Sequence, residues 1–230
     1  MCGRYALYTP REHLRHLLGI ERDLTAREPW RGRYNIAPGQ SVAAVRAAPG
    51  DGARELVMLQ WGLVPCWAKD AKTGYRLINA RAETVASKPA FRSAYRQRRC
   101  LLPADGFYEW QPTAPRVKQP YFITLTEGAP FAIAGLWERW QGNDGQCLDS
   151  CTLLVTGANA LVQPIHDRMP VILEPAEYAA WLDPANRDPA ALERLLRPYP
   201  PARMTAIPVS PWVNRPQNDD PACIEPAAIR

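Results

Sequence analysis

The chain has 230 residues, of which 47% are hydrophobic, a size and composition that suit one large globular domain. No apolar run approaches the roughly 20 residues that a membrane-spanning helix needs, and the first residues lack the apolar core of a secretory signal. We therefore expect a soluble, cytoplasmic protein. The formal net charge of +5 and the pI near 9.0 are by themselves weak evidence for a polyanionic partner.

Six cysteines are present without a CxxC pair, which favours reduced thiols over a disulfide framework. Cys147 and Cys151 are four residues apart, but no cluster of histidines or further cysteines accompanies them. A zinc site at this pair is therefore poorly supported by the sequence, and we predict no metal and no cofactor.

Positive charge is concentrated between Arg76 and Arg99, where seven basic residues face a single acid, Glu83, for a net charge of +6. The seven are Arg76, Arg81, Lys88, Arg92, Arg96, Arg98 and Arg99. A solvated helix face would also show this pattern, so charge alone favours nucleic acid only modestly.

In chain order, the first predicted element is a helix that starts near Thr9. Thr9 is placed to cap it, Pro10 suits the first turn, and Glu12 would complete a capping box. Gly19 is placed to end the helix. His13 and His16 fall among charged residues of this helix and are expected to be solvated.

Residues 31–40 are expected to form a loop, followed by strands over 42–46 and 55–63. Residues 87–99 are predicted to be helical, with Ser87 as the cap.

Further strands are predicted at 100–103, 107–111, 121–126, 131–140, 152–156 and 205–209, with helices after Glu174 and after residues 188–189. Strands and helices do not alternate regularly, which argues against a doubly wound parallel sheet. The prediction is a single α+β domain over residues 1–230. Its core would be a curved, mostly antiparallel, barrel-like sheet flanked by short helices.

Cys2 is the first candidate for chemistry, because loss of Met1 would leave an α-amine and a thiol on one residue. The reference pKa values are ~7.7–8.0 for the amine and ~8.5 for the thiol, so part of the amine is neutral and nucleophilic near neutral pH. An imine formed with an aldehyde would lie within reach of the sulfur, which could close a five-membered thiazolidine ring. One cysteine after the start codon is no motif, however.

Asn79 and Arg81 lie two residues apart, and in an extended segment they would share one face. An amide could orient a hydroxyl or a water while a guanidinium binds a phosphate. The alternative is a helix start that carries ordinary surface charges.

Two further segments place titratable groups beside apolar residues. Glu109 lies between aromatics, where burial would raise its pKa and suit it to proton transfer, unless it points into water at a sheet edge. His166 could act as a general acid or base, or could be a structural histidine at a turn.

Taken together, seven ordered motifs resemble the SRAP family (SOS response-associated peptidase-like proteins), which includes abasic-site processing proteins. They are MCGRY (1–5), RYNIAP (33–38), WGLVP (61–65), NAR (79–81), CLLPA (100–104), GFYEW (106–110) and IHDRMP (165–170). The resemblance implies the SRAP fold and covalent capture of abasic sites in single-stranded DNA, through a thiazolidine at Cys2 once Met1 is removed.

The same resemblance implies catalytic roles for Cys2, for Asn79 in positioning the sugar, for Glu109 in proton transfer, and for His166 in proton handling and crosslink reversal. DNA contacts are implied for Gly3, Arg4, Asn35, Trp67, Arg81, Trp110, Thr156 and Arg168. The implied partner is single-stranded DNA. We expect the protein itself to be a monomer that associates with the nucleoid.

Two other functions fit part of the same residues. An N-terminal-nucleophile peptidase or amidase would use Cys2 with its own amine as the base. A non-catalytic reader of single-stranded or modified DNA would use only the basic residues. Strand cleavage by a lyase reaction and self-removal of the residue ahead of Cys2 are possible accompanying activities.

Overall fold

Within residues 2–27, 29–142 and 145–227, which a computed structural model of the protein describes, fourteen strands form two sheets. The strands are β1 (Tyr5–Leu7), β2 (Arg22–Asp23), β3 (Arg33–Ile36), β4 (Ser41–Ala47), β5 (Arg54–Trp61), β6 (Asn79–Arg81), β7 (Arg99–Ala104), β8 (Gly106–Ala114), β9 (Val117–Leu125), β10 (Phe131–Gln141), β11 (Cys147–Gly157), β12 (Arg168–Pro170), β13 (Ile172–Leu173) and β14 (Met204–Pro208). The α-helices are α1 (Arg11–Leu18), α2 (Arg92–Gln97), α3 (Tyr178–Leu182) and α4 (Pro189–Arg194). Short 3-10 helices cover Ala71–Arg76, Pro175–Glu177, Pro201–Arg203, Pro211–Asn214 and Pro221–Cys223.

The larger sheet closes on itself. Its strands run in the order β12-β11-β10-β7-β4-β5-β2, and β11 also pairs with β5, which joins β5, β4, β7, β10 and β11 into a ring. The central strands β7 and β10 are buried on both faces at consecutive residues, as expected when one face lines a core and the other is covered. No described helix has the length and apolar character needed to cross a bilayer.

The smaller sheet has the order β14-β9-β8-β1-β3 and is antiparallel throughout. In it, β1 pairs with β8 through Tyr5 opposite Phe107 and Ala6 opposite Gly106. Continued by two residues, this register sets Gly3 opposite Glu109. The backbone N–H of Tyr108 donates to the Arg4 carbonyl at 2.9 Å, which keeps the start of the chain beside β8.

These sheets confirm the predicted α+β fold with a curved, mostly antiparallel, barrel-like core. Only the β2–β5, β5–β11 and β6–β11 pairs are parallel among the described strands. Each strand predicted after residue 99 is present, and most extend beyond the predicted bounds.

The capping box predicted for the first helix is wrong. Helix α1 begins at Arg11, after Pro10, and has no side-chain cap. The Thr9 hydroxyl instead donates to the buried carboxylate of Asp105, which also accepts from the backbone N–H of Thr9 at 2.8 Å. The Thr9 hydroxyl therefore binds a carboxylate 96 residues away instead of a backbone N–H in the first turn of α1. Gly19 ends the helix with φ 61°, as predicted.

Two other boundaries differ from the sequence prediction. The 31–40 segment is not a loop throughout, since Arg33–Ile36 pairs with β1 as strand β3. The helix predicted over 87–99 is restricted to Arg92–Gln97, because the segment before it forms turns and Arg99 already belongs to β7. Ser87 does not cap this helix, and its hydroxyl donates to the Thr84 carbonyl at 3.1 Å.

Arg99 connects the sheet to the helices. Its side chain is buried, with the residue 2% exposed, and its guanidinium donates to five backbone carbonyls. These belong to Trp181, Tyr95, Arg96, Asp183 and Asn186. One buried cation thereby satisfies carbonyls at the C-terminal end of α2, in the last turn of α3 and in the segment that follows α3.

We expect Arg99→Ala to destabilise the fold by about 3 kcal/mol or more, because buried carbonyls would lose their donors and a cavity would form. The matched control is Arg96→Ala, an exposed position three residues earlier, which should change stability by no more than about 0.5 kcal/mol. Urea unfolding of the two variants measures both effects. Equal midpoints for both variants would contradict this role of Arg99.

Candidate active site

Cys2, Asn79, Glu109 and His166 come together although they lie on four separate segments. Asn79 is the first residue of β6, Glu109 lies within β8, and His166 lies between β11 and β12. The Asn79 side-chain Nδ2 donates to the Cys2 carbonyl at 2.8 Å. His166 Nε2 lies 4.0 Å from Glu109 Oε2. The predicted catalytic set is therefore a spatial cluster.

Asn79 belongs to a strand, so the alternative of a helix start is wrong. It lies opposite Leu153 in the parallel β6–β11 pair, with Ala80 fully buried and Arg81 exposed. Asn79 Oδ1 is buried and has no hydrogen-bond partner among the described residues. The amide is thus anchored through its nitrogen while its oxygen remains an acceptor.

Glu109 does not point into water, which contradicts the sheet-edge alternative. Its residue exposure is 2%, and it lies opposite Tyr121 in the β8–β9 pair. Burial raises the pKa of its carboxyl to about 7, since the charged form loses hydration. A group with this pKa exchanges protons readily near neutral pH.

His166 is held in a defined orientation. Its Nδ1 accepts the backbone N–H of Arg168 at 3.0 Å. Asp167 Oδ1 also lies 3.0 Å from Nδ1, but the Asp167 side chain is 84% exposed and water competes for it. We assign Nδ1 as the acceptor, so the neutral ring carries its proton on Nε2, facing Glu109. Burial lowers the pKa of this histidine, which favours the neutral ring.

The Cys2 thiol is fully buried, and its sulfur lies 3.9 Å from the Arg4 carbonyl. Burial, and then the nearby Glu109 carboxyl, raise the pKa of the thiol well above its ordinary value. The sulfur is therefore a neutral thiol at physiological pH.

Arg4, Asn35 and Trp110 form a second cluster beside the first. Arg4 Nη1 donates to Asn35 Oδ1 at 2.6 Å and to the Val213 carbonyl at 2.9 Å, and its guanidinium lies 5.7 Å from the Trp110 ring centroid. Asn35 is fully buried, and its Nδ2 donates to three backbone carbonyls between residues 213 and 218. The Asn35 side chain thus positions Arg4.

The C-terminal segment 211–220 was missed by the sequence analysis. Asn214 Oδ1 accepts from Trp110 Nε1 at 2.8 Å, and Asp219 accepts from the backbone N–H of Tyr34 at 2.6 Å and of Asn35 at 2.8 Å. Asp219 also pairs with Arg33. These contacts span some 100 to 186 residues of sequence, so no local pattern could reveal them. The local signal in this segment is a run of polar and proline residues, which indicates only turns.

The remaining predicted DNA-contact residues differ in exposure. Trp67 is 62% exposed and Arg81 is exposed, whereas Gly3 is half-buried. Arg168 is partly exposed and paired with Glu83. Thr156 is buried opposite Met169 in the β11–β12 pair.

The basic segment presents less charge than its composition indicates. Arg99 is buried, and Arg98 donates to Glu138 at 2.7 Å. The exposed cations of the segment are Arg76, Arg81, Lys88, Arg92 and Arg96. The net charge of +6 therefore overstates the charge that this segment presents at the surface.

With this geometry, the fold and site define a class of protein. Residues 1–216 match the family described as SOS response associated peptidase (SRAP), and the chain belongs to that family. The chain is 43% identical to abasic site processing protein YoqW of Bacillus subtilis over 98% of its own length and 99% of that protein. It is 30% identical to mouse abasic site processing protein HMCES, over 100% of this chain and 77% of that one.

Solved structures share the fold. A protein from Bacteroides thetaiotaomicron superposes with a TM-score of 0.88 at 24% identity, over 99% of this chain and 100% of that chain. A protein from Bordetella bronchiseptica superposes with a TM-score of 0.76 at 30% identity, over 91% of this chain and all of that one.

The raised pKa of Glu109 generates a stability prediction. Between its ordinary pKa and about 7, the folded protein retains a proton that the unfolded chain has lost, so the free energy of unfolding should fall as pH rises through this window. Glu109→Gln has no such titrating carboxyl. Its free energy of unfolding should therefore rise relative to that of the native protein by on the order of 2–3 kcal/mol as the pH increases from about 5 to 8. Urea unfolding across pH measures it.

Glu193→Gln, at an exposed position on α4, is the control and should follow the native pH dependence. Parallel pH curves for native protein and Glu109→Gln would show that Glu109 ionises normally in the fold.

Proposed function

We propose that this protein processes abasic sites in single-stranded DNA by capturing them covalently through Cys2, after removal of Met1. Met1 itself lies outside the described residues. The observation that carries the proposal is the contact of the Asn79 amide with the Cys2 carbonyl, beside the pair that buried Glu109 forms with partly exposed His166. Relatives over nearly the full chain carry the name abasic site processing protein.

The chemistry begins with the α-amine of Cys2. Its neutral form adds to the aldehyde carbon of the open-ring sugar, forming a C–N bond and a carbinolamine. Loss of water gives an imine, and addition of the Cys2 thiol across the C=N bond forms the C–S bond of a thiazolidine. The net change is one aldehyde and one cysteine joined with release of one water.

The environment of the thiol sets the order of these steps. A buried neutral thiol is a poor first nucleophile, because the thiolate is the reactive form. The amine, with a reference pKa of ~7.7–8.0, attacks first. The sulfur then adds to the activated carbon, and its proton passes to a nearby base.

Glu109 is the group suited to move these protons. Near its pKa of about 7, the protonated form donates to the departing hydroxyl and the ionised form accepts the thiol proton. His166 is partly open to solvent, with its side chain 26% exposed, and its Nε2 faces Glu109. It links the buried carboxyl to bulk water, while Asn79 fixes the backbone of the nucleophile.

Arg4, Arg81 and Arg168 supply cationic groups for DNA phosphates around this centre, and Trp67 and Trp110 supply aromatic faces for bases. Asn35 acts through Arg4, and Thr156 and Gly3 through the backbone beside the site. All four proposed catalytic groups come from one chain, so the proposed functional unit is a monomer.

An N-terminal-nucleophile hydrolase would use the same cysteine and carboxyl, and self-removal of Met1 would be one such reaction. The exposed cations near Arg81 favour DNA as the substrate in trans. A lyase side reaction follows from the imine, which acidifies the neighbouring carbon and permits elimination of the 3′ phosphate.

Cys2→Ala should abolish a denaturation-resistant adduct with abasic single-stranded DNA, since no sulfur remains to close the ring. Cys66→Ser, at an exposed cysteine, is the matched control and should form the adduct normally. Denaturing gels and intact mass spectrometry measure adduct formation and Met1 removal together. A stable adduct from Cys2→Ala would exclude Cys2 from the role.

Glu109→Gln should slow single-turnover capture by about 10²- to 10⁴-fold, because the amide can neither give nor take the proton. The native rate should also change with pH near 7, following the Glu109 pKa, and this dependence should disappear in the variant. Rapid-quench measurements across pH report both. A variant that captures at the native rate would assign proton transfer to another group.

A further inference from the structure

Gln111 is a half-buried residue of β8 that lies two positions beyond Glu109 and takes no part in the reaction steps of the proposed mechanism. Glu109 and Gln111 pair regularly with Tyr121 and Gln119 of β9, so both side chains leave β8 on the same face. Successive residues of a strand rise about 3.4 Å, which separates the two side chains by about 7 Å along the strand. Gln111 therefore lies beside the candidate catalytic cluster.

The Gln111 side chain is bonded to residues 158–167, which connect β11 to β12 and are called the His166 segment here. Its Nε2 donates to the Pro164 carbonyl at 3.0 Å, two residues before His166. Backbone N–H groups of the described residues do not donate to this carbonyl. Within the part of the chain that the structure describes, Gln111 therefore supplies the hydrogen bond that Pro164 accepts.

The other anchors of the His166 segment do not set its distance from Glu109. Val162 and Ile165 are buried in the main core. Asn159 Nδ2 donates to the Tyr199 carbonyl at 2.7 Å, and Asn159 Oδ1 accepts from the Val162 N–H at 3.0 Å. None of these partners lies on β8, the strand of Glu109, and the segment itself continues from the larger sheet. A contact with β8 is needed to fix one group relative to the other.

Two contacts run side by side between β8 and the His166 segment. Gln111 Nε2 and the Pro164 oxygen are 3.0 Å apart, whereas Glu109 Oε2 and His166 Nε2 are 4.0 Å apart. The second distance exceeds that of a hydrogen bond, so this pair of side-chain atoms does not itself hold the segment. Because both contacts connect the same two segments, the shorter one sets the longer one.

We propose that Gln111 is a positioning residue, which holds the His166 segment against β8 so that the imidazole Nε2 faces the Glu109 carboxyl. The assignment rests on the proposed function, in which His166 links that carboxyl to water. An amide suits this position, because it donates a hydrogen bond and brings no charge next to groups that titrate. The role needs no contact between Gln111 and the abasic sugar.

Gln111→Met keeps the length of the side chain and removes the N–H donor. In single-turnover capture of an abasic oligonucleotide, its maximal rate should fall by about 10-fold, because even a displacement of about 1 Å in a catalytic group is costly. The half-saturating DNA concentration should not change. In a His166→Ala background, the same substitution should have no further effect. Gln111→Lys retains an N–H donor and should recover most of the rate, when the variants are compared at their optimal pH.

The His166 ring provides a second measurement, because its pKa depends on its position. Burial lowers this pKa, Lys118 of β9 adds to the effect, and Asp167 beside the ring opposes it. Glu109 of β8 faces Nε2 and is largely protonated below its own pKa of about 7. Movement of the segment away from β8 and β9 would hydrate the ring, while Asp167 would move with it. The His166 pKa should therefore rise in Gln111→Met.

NMR titration of the imidazole rings measures this shift without DNA and without a reaction at Cys2, so it separates this proposal from the proposed function. His13 and His16 are exposed on α1 and are references in the same spectra, where they should titrate as in the native protein. Gln163→Met is the matched control, since it makes the same chemical change at an exposed side chain of the His166 segment. It should leave the His166 titration and the capture rate unchanged.

An unchanged His166 titration in Gln111→Met would overturn the proposal. A loss of rate that persists at the same size in the His166→Ala background would overturn it as well, because Gln111 would then act on another group. A raised half-saturating DNA concentration with a native maximal rate would also contradict it, by making Gln111 a DNA contact.

Discussion

One hydrogen bond joins the two sheets at the candidate site: Asn79 Nδ2 to the Cys2 carbonyl, at 2.8 Å. Asn79 belongs to β6, which pairs with the barrel strand β11, whereas Cys2 leads into β1 of the smaller sheet. The first residues of a chain lose order unless something ties them down. Here strand pairing holds β1, and the Asn79 amide fixes Cys2, the residue whose amine and thiol would react in the proposed mechanism.

The same pairing creates the electrostatics of the site. The β1–β8 register brings Gly3 across from Glu109, and the packing around these two interior strands removes the carboxyl from water. Burial raises the pKa of Glu109 towards neutrality and keeps the Cys2 sulfur protonated. A site in which the carboxyl was ionised and the sulfur was a thiolate would favour different first steps. In the proposed mechanism, proton transfer and the order of bond formation therefore both follow from how deeply the Glu109 carboxyl and the Cys2 thiol are buried.

Much of the fold could be predicted from the sequence, because alternating apolar residues and proline breaks are local signals. The strands around β7, β10 and β11 were found this way, and the candidate catalytic residues were taken from motifs. What failed depended on distant partners: Thr9 is bound by Asp105 rather than capping a helix, and Arg99 lies buried in β7 rather than in the predicted helix. Exposure of a charged residue is a tertiary property, so composition overstated the basic surface.

The distribution of arginines separates stability from binding. The Arg99 guanidinium donates to five internal carbonyls, and Arg4 donates to Asn35 and to the Val213 carbonyl. Both side chains are therefore ordered before any ligand binds. Arg76 and Arg81, by contrast, are exposed on either side of Asn79. Ordered cations lose little entropy on contact with a phosphate, and exposed ones adapt to a variable strand. A site with ordered side chains at its centre and exposed, adaptable arginines around it suits a DNA strand in which the damaged sugar is constant and the neighbouring bases differ.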